Sequence, residues 1–213
     1  MKKILFLPGY ACTSDIWDDI KTKMDENDLG ADYVNWPREK LNDFSSTNDF
    51  AKWLNEQYDL DSYDTIIGHS MGGLVAIDLA DKNLFTDKRL ILVESFFKTP
   101  SKFFRNLYLK NANQSLKDKI ELMLKEESTY YNKALSEKLK DLDKFDEIKN
   151  LNSEIICFYG AREESNKKFV INQLNLDEGN LEKLKIKVVS QSSHFPMLEN
   201  PEEFFTKLID ILG

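Results

Sequence analysis

The stretch Thr65–Val75, TIIGHSMGGLV, decides how the chain is read. A β-branched apolar run stops at Gly68, and Leu74–Ala80 then continue with small and apolar residues suited to a helix. Gly68-His69-Ser70-Met71-Gly72 therefore has the G-x-S-x-G spacing at a strand-to-helix junction, the context that this pattern requires. A tight turn there pushes the Ser70 hydroxyl out at the carboxyl edge of a sheet. The helix starting beneath it offers free amides and the positive end of its dipole. Ser70 is the candidate nucleophile, and Met71 offers a backbone amide.

Outward from this junction, strand and helix patterns alternate. Ile4–Leu7 is a short apolar run ended by Pro8-Gly9, as expected of a buried strand. Ile16, Trp17, Ile20 and Met24 have helical spacing behind Thr13 or Ser14 as cap. ADYVNWP is a second, weaker strand, followed by a helix carrying Phe50, Trp53, Leu54 and Tyr58 behind Ser46 or Thr47. RLILVES, SEIICFYG and KIKVVS supply three more strands, and PEEFFTKLIDIL closes as a helix with Pro201 in its first turn. Such alternation predicts an α/β fold of about six mainly parallel strands flanked by helices.

One segment departs from the pattern. Residues 98–150 carry no convincing strand and are rich in Lys, Glu, Leu and aromatics, so they are expected to be a helical insertion in a core built from 1–97 and 151–213. The insertion carries +3 and the remainder −11. Phe96, Phe97, Phe103 and Phe104 at its start are expected either to line an apolar pocket or to join the core.

A serine hydroxyl needs a base at neutral pH. The chain has two histidines. His69 is adjacent to Ser70, and the turn should direct its ring away from the serine oxygen. His194, in SQSSHFPMLENP after the sixth strand, belongs to a loop over the same sheet edge and is the candidate base. The order nucleophile, acid, histidine puts the acid between them. The turn after the fifth strand, YGAREES, supplies Glu163, which is preferred, and Glu164; Glu94, at the end of LILVE, is the rival. For a developing oxyanion the amide of Met71 needs a second donor. The loop after the first strand supplies Tyr10, with Ala11 as the fallback.

Bulk properties limit the alternatives. A net charge of −8 gives no global basic field for nucleic acid. No apolar run approaches the roughly 20 residues that span a bilayer. MKKILFLPGY lacks the apolar length and cleavage site of a signal peptide. Cys12 and Cys157 have no metal-ligand spacing and make no disulfide framework, so a cytoplasmic location is expected, with no cofactor and no metal.

These pieces together resemble the α/β-hydrolase fold superfamily: FLPGYACTSDIW for the oxyanion loop and its helix, IIGHSMGGLVA for the nucleophile turn, YGARE for the acid turn and SSHFPMLENPEEF for the histidine loop. The resemblance implies a serine hydrolase acting on a small acyl ester, with the insertion as a cap over the pocket. Tyr10 and Trp17 are similar to the small carboxylesterases that include pimeloyl carrier-protein methyl ester esterases. A thioester substrate, or an acidic acyl carrier protein docking on the basic insertion, is compatible with that likeness, and a non-catalytic ligand-binding relative is the alternative of another class. The sequence departs from the family pattern in three places. Pro8-Gly9 replaces the usual His-Gly, Glu163 would replace the usual aspartate, and the proline that often follows the acid is missing. The two N-terminal antiparallel strands of the full family are also expected to be absent.

Overall fold

A computed structural model describes residues 3–213; Met1 and Lys2, at the start of the expected core range, lie outside the described residues. In chain order the elements are β1 (Lys3–Leu7), α1 (Asp18–Glu26), β2 (Gly30–Tyr33), α2 (Thr47–Gln57), β3 (Thr65–His69), α3 (Met71–Asp81) and β4 (Arg89–Val93). There follow α4 (Gln114–Glu127), α5 (Lys133–Lys140), α6 (Phe145–Asn150), β5 (Glu154–Gly160), α7 (Lys167–Asn172), α8 (Glu178–Lys183), β6 (Leu184–Val189), α9 (Pro196–Glu199) and α10 (Pro201–Leu212).

The six strands form one sheet in the order β2-β1-β3-β4-β5-β6. Every pairing is parallel. Alternate residues of each strand serve opposite faces. Leu5, Leu7, Ile66, Leu90, Leu92, Ile155 and Cys157 pack on one side with α2 and α3. Ile4, Phe6, Ile67, Ile91, Val93, Ile156 and Phe158 pack on the other with Trp17, Ile20 and Met24 of the α1 region and Phe204, Leu208 and Leu212 of α10. With both faces covered, the central strands β1, β3, β4 and β5 carry near-continuous apolar runs, whereas the edge strands β2 and β6 include Asp32, Lys185 and Lys187. Fully burying each large side chain stabilises the fold by roughly 1.5–3 kcal/mol before entropy is counted.

Local signals set the helix starts. Thr13 accepts from the Asp15 amide. Ser46 and Asp49 form a reciprocal capping box at the start of α2. Pro201 sits in the first turn of α10. The helix α3 is apolar on all sides, and Met71–Ala80 are all buried, so it serves as a central rod rather than an amphipathic flank.

Between β4 and β5 an irregular stretch with one short 3-10 turn, Lys102–Arg105, leads into α4, α5 and α6. A single antiparallel bridge between Lys98 and Asp143, with the Lys144 amide on the Phe97 carbonyl at 2.8 Å, brings the two legs of this segment together. The four phenylalanines near its start join the core, and Phe96, Phe97 and Phe104 also wall a small hollow of about 10 Å³. Phe97 and Phe104 are buried, and Phe96 and Phe103 pack against the same cluster.

The strand order reverses between β1 and β3. In parallel α/β sheets the crevice outside the carboxyl ends at such a switch point is where ligands bind. Here the Pro8-Gly9 loop leaves β1 and Ser70 leaves β3.

Candidate active site

The Ser70 backbone is strained. Its φ of 50° and ψ of −117° lie in a region that residues with a side chain rarely adopt. The conformation is held from several sides. The Ser70 amide donates to the Val93 carbonyl at 2.8 Å, and its carbonyl accepts from Ser95 Oγ at 2.8 Å and from the Gly73 amide at 3.1 Å. The turn closes so tightly that a Cβ on Gly68 would fall 2.4 Å from the Gly73 nitrogen, and one on Gly72 would fall 2.6 Å from the Pro8 oxygen. Both glycines are therefore required by the close approach of backbone to backbone. Ser70 itself remains half-buried.

The carboxylate beside the candidate base is Glu94. Its Oε2 lies 3.3 Å from His194 Nδ1. Parallel register explains the placement: His69 pairs with Val93, so the residues that follow them, Ser70 and Glu94, leave adjacent strand ends together. Glu94 is also at positive φ, 51°, and its side chain is wholly buried. The Gly160 amide donates to Oε1 at 2.6 Å, and Arg162 grips both oxygens, Nη1 to Oε1 at 2.7 Å and Nη2 to Oε2 at 2.9 Å. Burial pushes the Glu94 carboxyl up, but the Arg162 charge and the hydrogen bonds from His194 and Arg162 outweigh it and hold the group below the usual carboxylate value.

The expectation for Glu163 is corrected by this geometry. At the end of β5 the backbone turns through Arg162, whose φ is 54° and whose amide donates to the Ser192 carbonyl at 2.7 Å. That turn sends Arg162 inward and leaves Glu163 exposed on the surface. Glu164 is used locally, its Oε1 accepting the Asn166 amide at 2.7 Å. The inward position after β5 is filled by a cation, and the anion comes from the next strand over. The one sequence signal for this was the rival at the end of LILVE.

His194 is fixed by its backbone as well as by Glu94. Its amide donates to the Leu107 carbonyl at 3.2 Å, and its carbonyl is 2.8 Å from His69 Nε2. A carbonyl only accepts, so His69 carries its proton on Nε2. Burial, and then the nearby His194, push the His69 pKa well below its ordinary value, so the ring is neutral. His69 thus supports the histidine loop, with its Nδ1 buried against Gly9, where a Cβ would come within 2.8 Å. A neutral His194 must likewise donate from Nδ1 to Glu94, which leaves Nε2 as the basic nitrogen. Glu199 of α9 completes the loop by accepting the Ser193 and Phe195 amides, each at 3.0 Å.

In the loop after β1, the Cys12 amide donates to the Gly9 carbonyl at 3.3 Å and the Cys12 thiol donates to the Tyr10 carbonyl at 3.4 Å. Among the described residues, neither the Tyr10 nor the Met71 amide donates to a protein acceptor. Burial pushes the Cys12 thiol up to about 12, so it stays protonated and is no rival nucleophile. A hollow of about 470 Å³ flanks this loop, walled by Cys12, Trp36, Arg38, Glu127 and Tyr131. Among the described residues there is no cluster of three or more His, Cys, Asp or Glu side chains able to hold a metal. Among the described residues no helix is long and apolar enough to cross a membrane.

Comparison with known proteins agrees with this architecture. The family model described as alpha/beta hydrolase fold matches residues 4–170. No curated protein sequence matches the chain. Among solved structures, a membrane phospholipase A described as a bacterial virulence factor superposes with a TM-score of 0.75 at 15% identity, covering 99% of this chain and 78% of that one. An esterase from Exiguobacterium antarcticum gives 0.74 at 16% identity, covering 99% and 91%. MenH from S. aureus gives 0.67 at 17% identity, covering 99% and 93%. At such identities the likeness is one of fold.

Proposed function

We propose, from the premise that the chain belongs to the alpha/beta hydrolase fold family, that it is a serine hydrolase that cleaves carboxylic esters through an acyl-enzyme. The observation that carries this reading is the Glu94–His194 pair at the strand end next to the strained Ser70 turn. In the reaction, Ser70 Oγ attacks the acyl carbonyl while His194 Nε2 takes its proton. Glu94 holds the imidazole orientation and stabilises the imidazolium. The Tyr10 and Met71 amides bind the oxyanion where charge develops. His194 returns the proton to the departing alcohol, and a water then repeats the sequence on the acyl-enzyme.

The esterase among the structural neighbours supports the choice of an ester bond. The test is hydrolysis of a panel of p-nitrophenyl esters of increasing chain length by the protein and by Ser70→Ala. Activity present in the first and lost in the second is expected, with a fluorophosphonate probe labelling Ser70. Full activity in Ser70→Ala would sink the proposal.

A further inference from the structure

One buried charge in contact with the candidate acid has no part in the proposed reaction. Arg162 is 5% exposed, and its guanidinium lies 4.7 Å from the Phe104 ring centroid. Besides Glu94, it donates from Nη1 to the Gly160 carbonyl at 2.9 Å and from Nη2 to the carbonyls of Phe104 at 3.1 Å and Asn106 at 3.4 Å. The last two acceptors lie in the first leg of the helical insertion. Leu107, the next residue of that leg, accepts the His194 amide. Acid and base are thus tied to the same few residues.

We propose that Arg162 is a positioning residue for the acid–base pair: its planar fork orients the Glu94 carboxylate so that Oε2 faces His194 Nδ1, and anchors that carboxylate to the first leg of the insertion. The proposal rests on the reading of Ser70, His194 and Glu94 as the catalytic set. An ionised carboxylate offers about four acceptor sites. On Glu94 the Gly160 amide and Nη1 use Oε1, and Nη2 uses one side of Oε2, which leaves the remaining side for His194. A buried ion pair is in itself weak support for stability, whereas a two-pronged grip on a planar group fixes its rotation, which a lysine cannot do.

The groups facing the pair are Arg162 and Tyr159 from the β5 side and His69 from the β3 side, while Glu199 accepts from the histidine loop itself. Arg162 is the one cation among them, since His69 is neutral. Its removal raises the macroscopic step at which the pair loses its proton, whichever of the two groups carries it. A residue with a merely structural role would lower the active fraction without moving that step.

The experiment compares the protein with Arg162→Met and Arg162→Lys, using pH profiles of kcat/KM on p-nitrophenyl acetate. Proton NMR titration of the pair is followed on the His194 imidazole. Arg162→Met should move the acidic limb and the NMR titration upward by about one pH unit or more. Arg162→Lys keeps the charge but not the fork. It should leave both in place while kcat falls about ten- to a hundredfold at unchanged KM. An unmoved titration in Arg162→Met, or an unchanged kcat in Arg162→Lys, would overturn the proposal. If Arg162→Met does not fold, the kcat-against-KM split in Arg162→Lys decides. If the unmodified protein neither labels with fluorophosphonate nor hydrolyses the ester, the functional reading falls. The NMR titration then still decides whether Arg162 controls the pair.

Discussion

Ser70 and Glu94 leave neighbouring parallel strands side by side, and both do so with φ near +50°. Ala11, Arg162 and Gln191, which follow β1, β5 and β6, are also at positive φ. Five of the six strand ends therefore carry backbone strain on the edge where the candidate site lies. Strain of about 1–3 kcal/mol per residue persists only where the surroundings over-determine it.

Glu94→Gln should lose roughly three to four orders of magnitude in kcat, since an amide no longer holds the imidazole as a carboxylate does, and should also lower stability, because it leaves the buried Arg162 charge without its partner. Glu163→Gln, altering an exposed side chain, should stay within about twofold of the parent, because surface substitutions away from such features have small effects. Steady-state kinetics on one ester checks both. Equal losses in the two variants would refute the assignment of the acid to Glu94.

Gly72→Ala should damage both stability and activity. Its Cβ would lie 2.6–2.7 Å from the Pro8 and Leu7 carbonyl oxygens, so either the loop after β1 or the helix must move. A cost of about 1–3 kcal/mol is expected from overpacking. Urea unfolding gives the first effect, and the ratio of kcat between variant and parent gives the second. A variant as stable and as active as the parent would show that this contact yields easily.

Stability should fall on the acid side, and His69 should start the decline. The group is neutral in the fold and its folded pKa lies well below its ordinary 6.5. Below that pH the unfolded chain binds a proton that the native state refuses, so stability drops by at most about 1.4 kcal/mol per pH unit from this group. Glu94 acts in the same direction further down. Its folded value is held below its ordinary 4.5, so its contribution is complete above 4.5 and is lost as pH falls through the folded value. Unfolding midpoints from pH 7 to 5 should slope in the parent and flatten in His69→Gln. Parallel slopes would contradict the neutral, buried ring.

Lys144 bridges Asp78 of α3 at 2.6 Å and Glu147 at 3.1 Å, with side-chain exposures of 9% for the lysine and 2% for Asp78. Lys144→Met should therefore cost about 3–5 kcal/mol, because it strands a buried carboxylate. Lys144→Met combined with Asp78→Leu should recover most of that loss. Denaturant titration of the two variants measures it, and a double variant no better than the single would mean the pair does more than neutralise itself.

Much of the candidate site is legible in the sequence. Gly68, Ser70 and Gly72 declare a strained turn because only that residue pattern fits a strand running directly into a helix. His194 followed from the scarcity of histidines. The carboxylate beside His194 is not legible locally, because the turn after β5 offers three charged residues in a row, and the one that turns inward is Arg162, at positive φ. Helical spacing in the insertion announced helices, but not that Phe104, Asn106 and Leu107 would lend carbonyls to Arg162 and His194.

The sequence by itself determined the apolar runs of the central strands, the helices between them and the serine at their junction, because these are written in local periodicity and glycine placement. Tertiary structure alone decided that Glu94 meets His194 and that Arg162 holds them. Those contacts span 68 and 100 positions, and their partners are chosen by strand register and backbone hand at the sheet edge, which no local pattern encodes.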